Sequence, residues 1–271
     1  MKILLISANT LKDPYPVYPL GLDHVAASIH PRHQVCIEDL NALPETSSLD
    51  ERIRAFAPHL IGISLRNIDN TDTTDPIGFI GGYRDVINAV RHATTAPVVL
   101  GGSGFTLFPH RVLAELKADY GIIGEGERFN LLIDALENKN DPSGLPGVML
   151  PGEPAVSFPA PWTGDRKPRP AQHVSHRDWY IEHGAMLNLQ TKRGCPFRCI
   201  YCTYPLIEGR RLRLVPPEEA ARTALALQSA GARYIYITDS SFNADVAHSL
   251  AVARAFKAAG LTIPWGAVFT P

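Results

Sequence analysis

The chain has 271 residues, of which 45% are hydrophobic and 20% are charged, so it holds enough apolar material for two packed cores. Its 26 basic and 27 acidic residues give a formal net charge of -1, which excludes a field that would gather nucleic acid or an anionic membrane. No run approaches the roughly 20 apolar residues that span a bilayer, and the opening MKILLIS lacks a signal-peptide pattern. We therefore expect a cytoplasmic protein without a membrane span.

Short β-branched runs alternate with longer amphipathic stretches over the first 150 residues, which is typical of a parallel sheet covered by helices. This rhythm predicts a doubly wound, Rossmann-like α/β domain over residues 1–150. Its predicted strands are Lys2 to Ser7, Gln34 to Glu38, Leu60 to Leu65, Pro97 to Leu100 and Tyr120 to Ile123. Its predicted helices are Leu20 to Ile29, Leu49 to Phe56, Phe79 to His92, Pro109 to Leu116 and Glu127 to Leu136.

Residues 151–184 are predicted to form a proline-rich linker between two domains, because six of the 23 prolines fall between Pro151 and Pro170. The βα rhythm resumes over residues 185–271. This stretch contains the strands MLNLQ, YIYIT and WGAVF, one helix that begins after Pro216 and another from Asp245 to Ala259. The sequence therefore predicts a second α/β domain after the linker.

Three of the four cysteines lie within eight positions of TKRGCPFRCIYC, from Thr191 to Cys202, with the spacing CxxxCxxC. Three thiolates on one short loop can hold three irons of a four-iron cluster and leave one iron open to an external ligand. The alternative is a zinc site, which usually needs four ligands, and His176 and His183 are the nearest candidates for the fourth. Cys36 lies inside an apolar strand and is expected to be a small buried hydrophobe.

The cysteine loop follows the first strand of the second domain, and an aromatic residue, Tyr201, directly precedes the third cysteine. In these features it resembles the loop of the radical S-adenosylmethionine (SAM) enzymes, in which SAM chelates the open iron and is cleaved to a 5′-deoxyadenosyl radical. The resemblance implies a 4Fe-4S cluster held by Cys195, Cys199 and Cys202, with Tyr201 near the adenine; the alternative for Tyr201 is a packed core aromatic. The basic pair 192–193 is expected to face the cluster's negative charge or to be solvated.

Polar side chains follow the second barrel strand in the segment TDSSFN, from Thr238 to Asn243. The family often places acidic and hydroxyl groups there that bind the methionine part of SAM, so the resemblance implies Asp239 and Ser241 as SAM-binding residues. A carboxylate accepts hydrogen bonds from an ammonium group readily. A helix N-cap by Ser240, Ser241 or Asn243 is the alternative for this segment.

A doubly wound domain ahead of such a barrel resembles the cobalamin-binding branch of the family. The loops GGSGF and GEGE follow the fourth and fifth predicted strands, and glycines there let the backbone approach a large ligand. The alternative is that tight βα turns use glycine for conformational reasons alone. The cobalamin contacts implied by the resemblance are Tyr15, Pro16, Leu20, Ser64, Arg66, Gly101, Gly102, Ser103, Gly104, Gly124, Glu125 and Gly126.

The lower face of the cobalt is expected to lack a histidine ligand. Many cobalamin-binding domains carry an Asp-x-His-x-x-Gly segment after the first strand, whereas this loop reads DPYPVYPLG. Arg66 is a poor metal ligand because it stays protonated, and its charge is expected to discourage axial coordination there. An ion pair of Arg66 with Asp69 or Asp72 is the alternative.

The resemblance as a whole implies a cobalamin-dependent radical SAM enzyme that uses an electron donor such as flavodoxin or ferredoxin. In this branch, methyl transfer to an unactivated carbon or phosphorus centre of a small-molecule or peptide substrate is the commonest activity, and ring formation and ring contraction also occur. A corrinoid-binding sensor or carrier and a zinc-stabilised interaction module are the competing classes. Residues 185–271 hold about half of a radical SAM barrel, so we also expect the chain to be a fragment of a longer polypeptide.

Overall fold

The computed structural model describes residues 1–13, 15–43, 48–153, 158–163 and 174–271, without the side chains at 174 and 175. The chain divides into two compact units. The first comprises Met1–Thr10 and Gly21–Lys167, and the second comprises Leu11–Leu20 and Pro168–Pro271. Within the described ranges, no helix combines the length and the apolar character that crossing a membrane requires.

A six-stranded sheet runs through the described part of the first unit. Its strands are β1 (Lys2–Ser7), β2 (Gln34–Asp39), β3 (Leu60–Ser64), β4 (Val98–Gly101), β5 (Tyr120–Ile122) and β6 (Val148–Met149). They lie in the order β2-β1-β3-β4-β5-β6; β1 to β5 are parallel, and β6 pairs antiparallel with β5. The five predicted strands agree with the structure to within one residue at either end, and the short edge strand β6 is an addition to them.

Helices cover both faces of this sheet, as a doubly wound fold requires. They are α1 (Leu20–Ser28), α2 (Leu49–Phe56), α3 (Ile80–Ala93), α4 (Ser103–Leu107), α5 (Pro109–Leu116) and α6 (Phe129–Glu137). Alternate residues of β1 enter different cores: Leu4 and Ile6 pack with α2, α3 and α5, whereas Ile3 and Leu5 pack with α1 and α6. The predicted fold class of this domain is confirmed by this two-sided packing and parallel order.

The strand order reverses between β1 and β3, and ligands of open α/β sheets bind beyond the carboxyl ends of the strands at such a point. The register places Ser7 beside Ser64 and Ser64 beside Gly101. The carboxyl ends of β1, β3 and β4 are therefore level with one another. The loops that follow these strands form one edge of the first unit.

The described part of the second unit contains a three-stranded parallel sheet in the order β11-β10-β7. Its strands are β7 (Met186–Leu189), β10 (Tyr234–Ile237) and β11 (Trp265–Ala267), and they alternate with α9 (Pro217–Ser229) and α10 (Val246–Ala258). Leu187 and Ile235 of the sheet pack against Ala224 of α9 and Val252 of α10. Neighbours in the sheet are successive in its βα units, which is the arrangement at the start of a βα barrel.

Further short elements of the second unit are α7 (Val174–Gly184), β8 (Lys192–Arg193), α8 (Tyr204–Ile207) and β9 (Arg213–Leu214), and β8 pairs antiparallel with β9. Helix α7 lies within the stretch that the composition predicts as linker. Its Tyr180 is completely buried and makes an edge-on contact with Tyr18, with ring centroids 5.2 Å apart. The prolines that signal a linker end at Pro170, so they carry no information about this helix.

Candidate functional site

The three cysteines with CxxxCxxC spacing lie on the loop between β8 and α8, which we call the cluster loop (residues 194–203). All three are free thiols; Cys195 is buried, Cys202 is half-buried and Cys199 is exposed. Among the residues that the structure describes, no three His, Cys, Asp or Glu side chains are gathered as a metal site would gather them. The donor set has the chemistry that iron–sulfur ligation needs, while its sulfur atoms are spread along the loop.

The beginning of the cluster loop is held by backbone geometry that requires glycine. Gly194 has a φ of +88°, and a Cβ there would collide with the carbonyl oxygen of Arg211. The N–H of Cys195 donates to the carbonyl oxygen of Gly209 at 3.0 Å. The position of Cys195 is therefore fixed by the chain that returns through β9.

A glutamate that the sequence analysis missed anchors the cluster loop. The carboxylate of Glu208 accepts the N–H of Gly194 at 3.0 Å and the side-chain amide of Gln190 at 2.9 Å. It also accepts the hydroxyl of Ser240 at 3.3 Å. Glu208 thus joins the loop to the chain after β7 and to the chain after β10. Nothing in the local sequence around Glu208 signals this role, because its partners are 14 to 32 positions away along the chain.

The aromatic residue before the third cysteine points into solvent. Tyr201 is 85% exposed, and its neighbour Ile200 is fully exposed. The alternative of a packed core aromatic is therefore wrong for Tyr201. An exposed tyrosine beside the cysteines is available to a ligand, and its contact with adenine stays a prediction.

Asp239, a predicted SAM-binding residue, is buried and has several protein partners. Its Oδ1 accepts the backbone N–H groups of Thr191 at 2.7 Å and of Lys192 at 3.1 Å. Its Oδ2 accepts the hydroxyl of Thr191 and lies 2.9 Å from Nζ of Lys192. The SAM-binding role of Asp239 stays a prediction, and the structure gives this carboxylate the task of joining β8 to the end of β10.

The expectation that residues 192 and 193 form a solvated basic pair is wrong, because both side chains are buried. Nζ of Lys192 donates to the carbonyl oxygen of Phe242 at 2.7 Å and lies 4.5 Å from the centre of its ring. The carboxylate of Asp239 contacts the same ammonium group. An interaction of residues 192 and 193 with the charge of the cluster stays a prediction.

Ser241, the second predicted SAM-binding residue, bonds to one residue of its own segment and to one near the end of the chain. Its hydroxyl donates to the side-chain oxygen of Asn243 at 3.0 Å and lies 2.8 Å from the hydroxyl of Thr270. The N-cap of α10 is Asp245, whose side chain accepts the N–H of His248 at 2.9 Å. The expected cap by Ser240, Ser241 or Asn243 is therefore wrong, and SAM binding by Ser241 stays a prediction.

The first glycine loop packs closely against the chain that follows β3. Gly102 has a φ of +94°, and a Cβ there would lie 2.6 Å from the carbonyl oxygen of Leu65. A Cβ on Gly104 would lie 3.1 Å from the same oxygen, and Ser103 donates its hydroxyl to the carbonyl oxygen of Arg66 at 2.6 Å. The conformational explanation for these glycines therefore applies, and the cobalamin contacts of Gly101, Gly102, Ser103 and Gly104 stay predictions.

The second glycine loop is also tied to its own unit. Gly124 has a φ of +78° and donates its N–H to the hydroxyl of Thr106 at 3.0 Å. The carboxylate of Glu125 is buried and accepts the backbone N–H of Trp162 at 2.6 Å. A Cβ on Gly126 would collide with the side chain of Val25. These contacts fix the loop, while its role toward cobalamin stays a prediction.

The remaining predicted cobalamin contacts divide between the two units. Ser64 ends β3, and Arg66 follows it with an exposed side chain. Tyr15, Pro16 and Leu20 belong to the second unit rather than to the first, and Leu20 packs against the core of that unit. The sequence placed these three residues in the first domain because they are close to β1 along the chain.

The acidic residues expected as partners of Arg66 bond within their own loop. Asp69 accepts the N–H of Thr71 at 2.9 Å. Asp72 accepts the N–H and the hydroxyl of Thr74, and these bonds lower the pKa of its carboxyl group. Both carboxylates therefore serve as turn-forming groups in the loop after β3.

Cys36 differs from the buried hydrophobe that its apolar surroundings predict. It is half-buried, and its sulfur lies 3.8 Å from a carboxylate oxygen of Glu38. Burial raises the pKa of its thiol, and the charge of Glu38 raises it further. This thiol is thereby kept protonated.

Comparisons with known proteins assign each unit to a family. The model of the B12 binding domain matches residues 6–132, and the model of the radical SAM superfamily matches residues 189–264. The chain therefore contains a B12 binding domain followed by a radical SAM domain. The expected fold, a doubly wound domain followed by the beginning of a radical SAM barrel, is thereby confirmed.

Two curated relatives are methyltransferases. Tryptophan 2-C-methyltransferase of Streptomyces laurentii is 26% identical over 91% of this radical SAM chain, which covers 50% of the relative. Cytidylyl-2-hydroxyethylphosphonate methyltransferase of Streptomyces wedmorensis is 26% identical over 97% of this chain, which covers 59% of that relative. The chain thus spans between half and three fifths of the length of these two relatives.

Solved structures of the family share the fold. The radical SAM methyltransferase TsrM from Kitasatospora setae, with tryptophan substrate and a SAM analogue bound, is 26% identical and superposes with a TM-score of 0.76. The alignment covers 93% of this chain and 50% of TsrM. OxsB, a cobalamin-dependent SAM radical enzyme, has a TM-score of 0.71 at 14% identity over 97% of this chain and 38% of OxsB. At that identity OxsB shows the fold alone.

Proposed function

We propose that this chain carries the cofactor-binding part of a cobalamin-dependent radical SAM methyltransferase. It would move a methyl group from SAM, by way of cobalamin, to an unactivated carbon or phosphorus centre. The observation that carries the proposal is the order of the two domains within one chain. A tryptophan 2-C-methyltransferase is similar to this chain over 91% of the chain's residues. A zinc-stabilised interaction module would not account for the B12-binding domain.

The cluster would be held by Cys195, Cys199 and Cys202, because they are free thiols on one loop and Cys36 is in the other unit. When bound, the cluster and cobalamin supply an open iron and a cobalt centre that accepts and passes on a methyl group, which no side chain can do. The chain's own residues position this chemistry. Glu208 and Asp239 anchor the segment that leads into the cysteines, by accepting the N–H groups of Gly194 and Thr191.

Cobalamin would lie at the carboxyl edge of the first sheet. The contacts that we propose there are Ser64, Arg66 and the two glycine loops 101–104 and 124–126. The level ends of β1, β3 and β4 support this placement, since ligands of doubly wound sheets lie beyond that edge. Exposure of the Arg66 guanidinium on this edge supports its proposed role in discouraging a lower axial ligand.

The partners that follow from this activity are a small-molecule or peptide substrate and an electron donor such as flavodoxin or ferredoxin. The names of the relatives support a small molecule, since their substrates are tryptophan and a cytidylyl phosphonate. A cluster with an open iron needs a reducing compartment, which supports the cytoplasm as the place where the protein acts. The near-zero net charge supports the view that nucleic acid is not a partner.

Anaerobic reconstitution tests the proposal directly. The full chain is incubated with iron, sulfide and hydroxocobalamin, desalted, and analysed for bound metals and cobalamin. We expect about four irons and one cobalamin per chain. Cobalamin without iron would support a corrinoid carrier instead, and stoichiometric zinc that iron cannot displace would support an interaction module. Either result would overturn the enzyme proposal.

A further inference from the structure

An asparagine in the sheet of the second unit has no hydrogen-bond partner for its side-chain amide among the described residues. Asn188 lies in β7 between Leu187 and Leu189, which both enter the core under α9 and α10. Because successive side chains of a strand alternate between faces, Asn188 lies on the opposite face, which we call the inner face. It is 4% exposed, and within the described residues neither its Oδ1 nor its Nδ2 has a hydrogen-bond partner.

Tyrosine side chains of β10 share the inner face with this amide. The register pairs Asn188 with Tyr236 of β10, and Tyr236 with Gly266 of β11. Paired residues of neighbouring strands are about 4.8 Å apart, and their side chains point to the same face. Gly266 leaves room for the hydroxyl of Tyr234, with which a Cβ at this position would collide.

A third tyrosine contributes to the same surroundings. Burial raises the pKa of the Tyr236 hydroxyl, and its neighbours Tyr15 and Tyr234 raise it further. The phenol of Tyr236 is therefore a neutral hydrogen-bonding group throughout the ordinary pH range. Met186, Tyr234, Asn188 and Tyr236 line the inner face with uncharged side chains.

The free energy of an unpartnered buried amide is unfavourable, because the group loses its hydrogen bonds to water and gains none from the protein. A leucine at position 188 would have the same number of side-chain heavy atoms, with the same branching, and no such cost. The two free polar atoms of Asn188 are a donor and an acceptor on one planar group. They match a ligand that presents an acceptor and a donor side by side.

We propose that Asn188 is a substrate-recognition residue that binds a planar, uncharged group with adjacent hydrogen-bond donor and acceptor. A carboxamide and the polar edge of a nitrogen heterocycle are such groups, and the tyrosine rings offer them an aromatic surface. A carboxylate or phosphate would meet no opposite charge among the lining residues named above. This inference rests on the proposed function, because β7 leads directly into the cluster loop of the enzyme.

The first test is the stability of the reconstituted full chain. Asn188→Leu should leave the midpoint of thermal unfolding unchanged or raise it, because it removes two unpartnered polar atoms. The matched control is Asn243→Leu, which should lower the midpoint. Asn243 donates to the carbonyl oxygen of Thr270 at 2.7 Å and accepts its N–H at 2.9 Å. If Asn188→Leu lowers the midpoint as much as Asn243→Leu does, Asn188 is a structural residue and the proposal is overturned.

The second test is binding of two probes, cytidine and glycinamide, measured by isothermal titration of the same preparations. At least one probe should bind the wild type, and Asn188→Leu should weaken its binding by about tenfold or more, since a polar site loses its partner. Tyr236→Phe should weaken it less because the ring remains. No binding of any probe, or equal binding to wild type and Asn188→Leu, would overturn the proposal.

Iron and cobalamin contents, measured on every sample, separate this inference from the proposed function. Asn188→Leu should retain both cofactors at the wild-type level. A chain that binds a probe through Asn188 but takes up no iron would contradict the proposed function and leave the recognition role in place. A chain that takes up both cofactors and binds a probe equally well without Asn188 would contradict the recognition role and leave the proposed function in place.

Discussion

The ammonium group of Lys192 lies 2.9 Å from the carboxylate of Asp239, and neither side chain is more than 1% exposed. The two residues are 47 positions apart along the chain. Their contact joins the strand before the cluster loop to the loop after β10. Separating the two groups would leave two buried charges without a partner, which is strongly unfavourable. The pair therefore fixes β8 relative to the loop after β10, and the proposed SAM site uses both segments.

We predict that Lys192→Met and Asp239→Asn each lower the free energy of unfolding by about 3–5 kcal/mol, because each removes the charge that compensates a buried partner. The double variant should lose less than the sum of the two single losses. Urea denaturation of all three variants measures this coupling. Arg84→Ala is the control: Arg84 pairs with Glu115 on the surface, and its loss should cost about 1 kcal/mol or less. Strict additivity of the two buried substitutions would contradict the account.

Each of Cys195→Ala, Cys199→Ala and Cys202→Ala should abolish the iron–sulfur cluster, because each removes one of three thiolate ligands. Cys36→Ala is the matched control and should retain the iron content of the wild type. Iron and sulfide analysis after anaerobic reconstitution measures the outcome. Loss of the cluster in the Cys36 variant, together with its retention in a loop variant, would show that the ligand assignment is wrong.

The stability of the first unit should fall at alkaline pH through Tyr83. Burial raises the pKa of this tyrosine from 10.0 to about 12, and its hydroxyl donates to the carbonyl oxygen of Asn67 at 2.6 Å. Between these two pH values the unfolded chain releases the proton while the folded chain keeps it. The stability that is present below pH 10 is therefore lost as the pH rises toward 12, by about 2–3 kcal/mol.

Tyr83→Phe is the variant that isolates this effect. Because the hydrogen bond is removed, its free energy of unfolding at neutral pH should be about 1 kcal/mol lower than that of the wild type. Between pH 10 and pH 12 its further loss of stability should be smaller than that of the wild type. Urea unfolding at a series of pH values provides the comparison. An identical alkaline slope in both proteins would exclude Tyr83 as the source.

The cobalt of bound cobalamin should have no nitrogen ligand on its lower face. The loop after β1 contains no Asp-x-His-x-x-Gly segment, and we assign an arginine that stays protonated to this region. Electron paramagnetic resonance of the full chain in its cob(II)alamin form should therefore show no nitrogen hyperfine splitting. A clear nitrogen triplet would show that a side chain or the cofactor's own base coordinates the metal.

The sequence predicted the sheet of the first unit well because its strands are short, apolar runs buried on both faces. A short apolar run such as that of β1 is typical of a buried parallel strand. The short helix α4 was missed because its five residues, SGFTL, are too few for a helical period. Local pattern therefore sufficed where burial is uniform and failed where an element is short.

The sequence predicted which residues form the candidate site better than it predicted the partners that those residues contact. The cysteine spacing identified the candidate ligands, since that signal is local. Lys192 and Glu208 were misjudged or missed because their roles depend on partners that the fold brings from distant positions. The amide of Asn188 gave no signal either, because a single polar residue in an apolar strand has many explanations until its neighbours are known.

The most direct test of the methyltransferase account follows the methyl group itself. The reconstituted full chain with reduced cobalamin is incubated with SAM that carries a labelled methyl group, and the cobalamin is separated and counted. The account predicts that label appears on cobalamin in an amount equal to the S-adenosylhomocysteine formed. Formation of 5′-deoxyadenosine with unlabelled cobalamin would contradict methyl transfer as the activity.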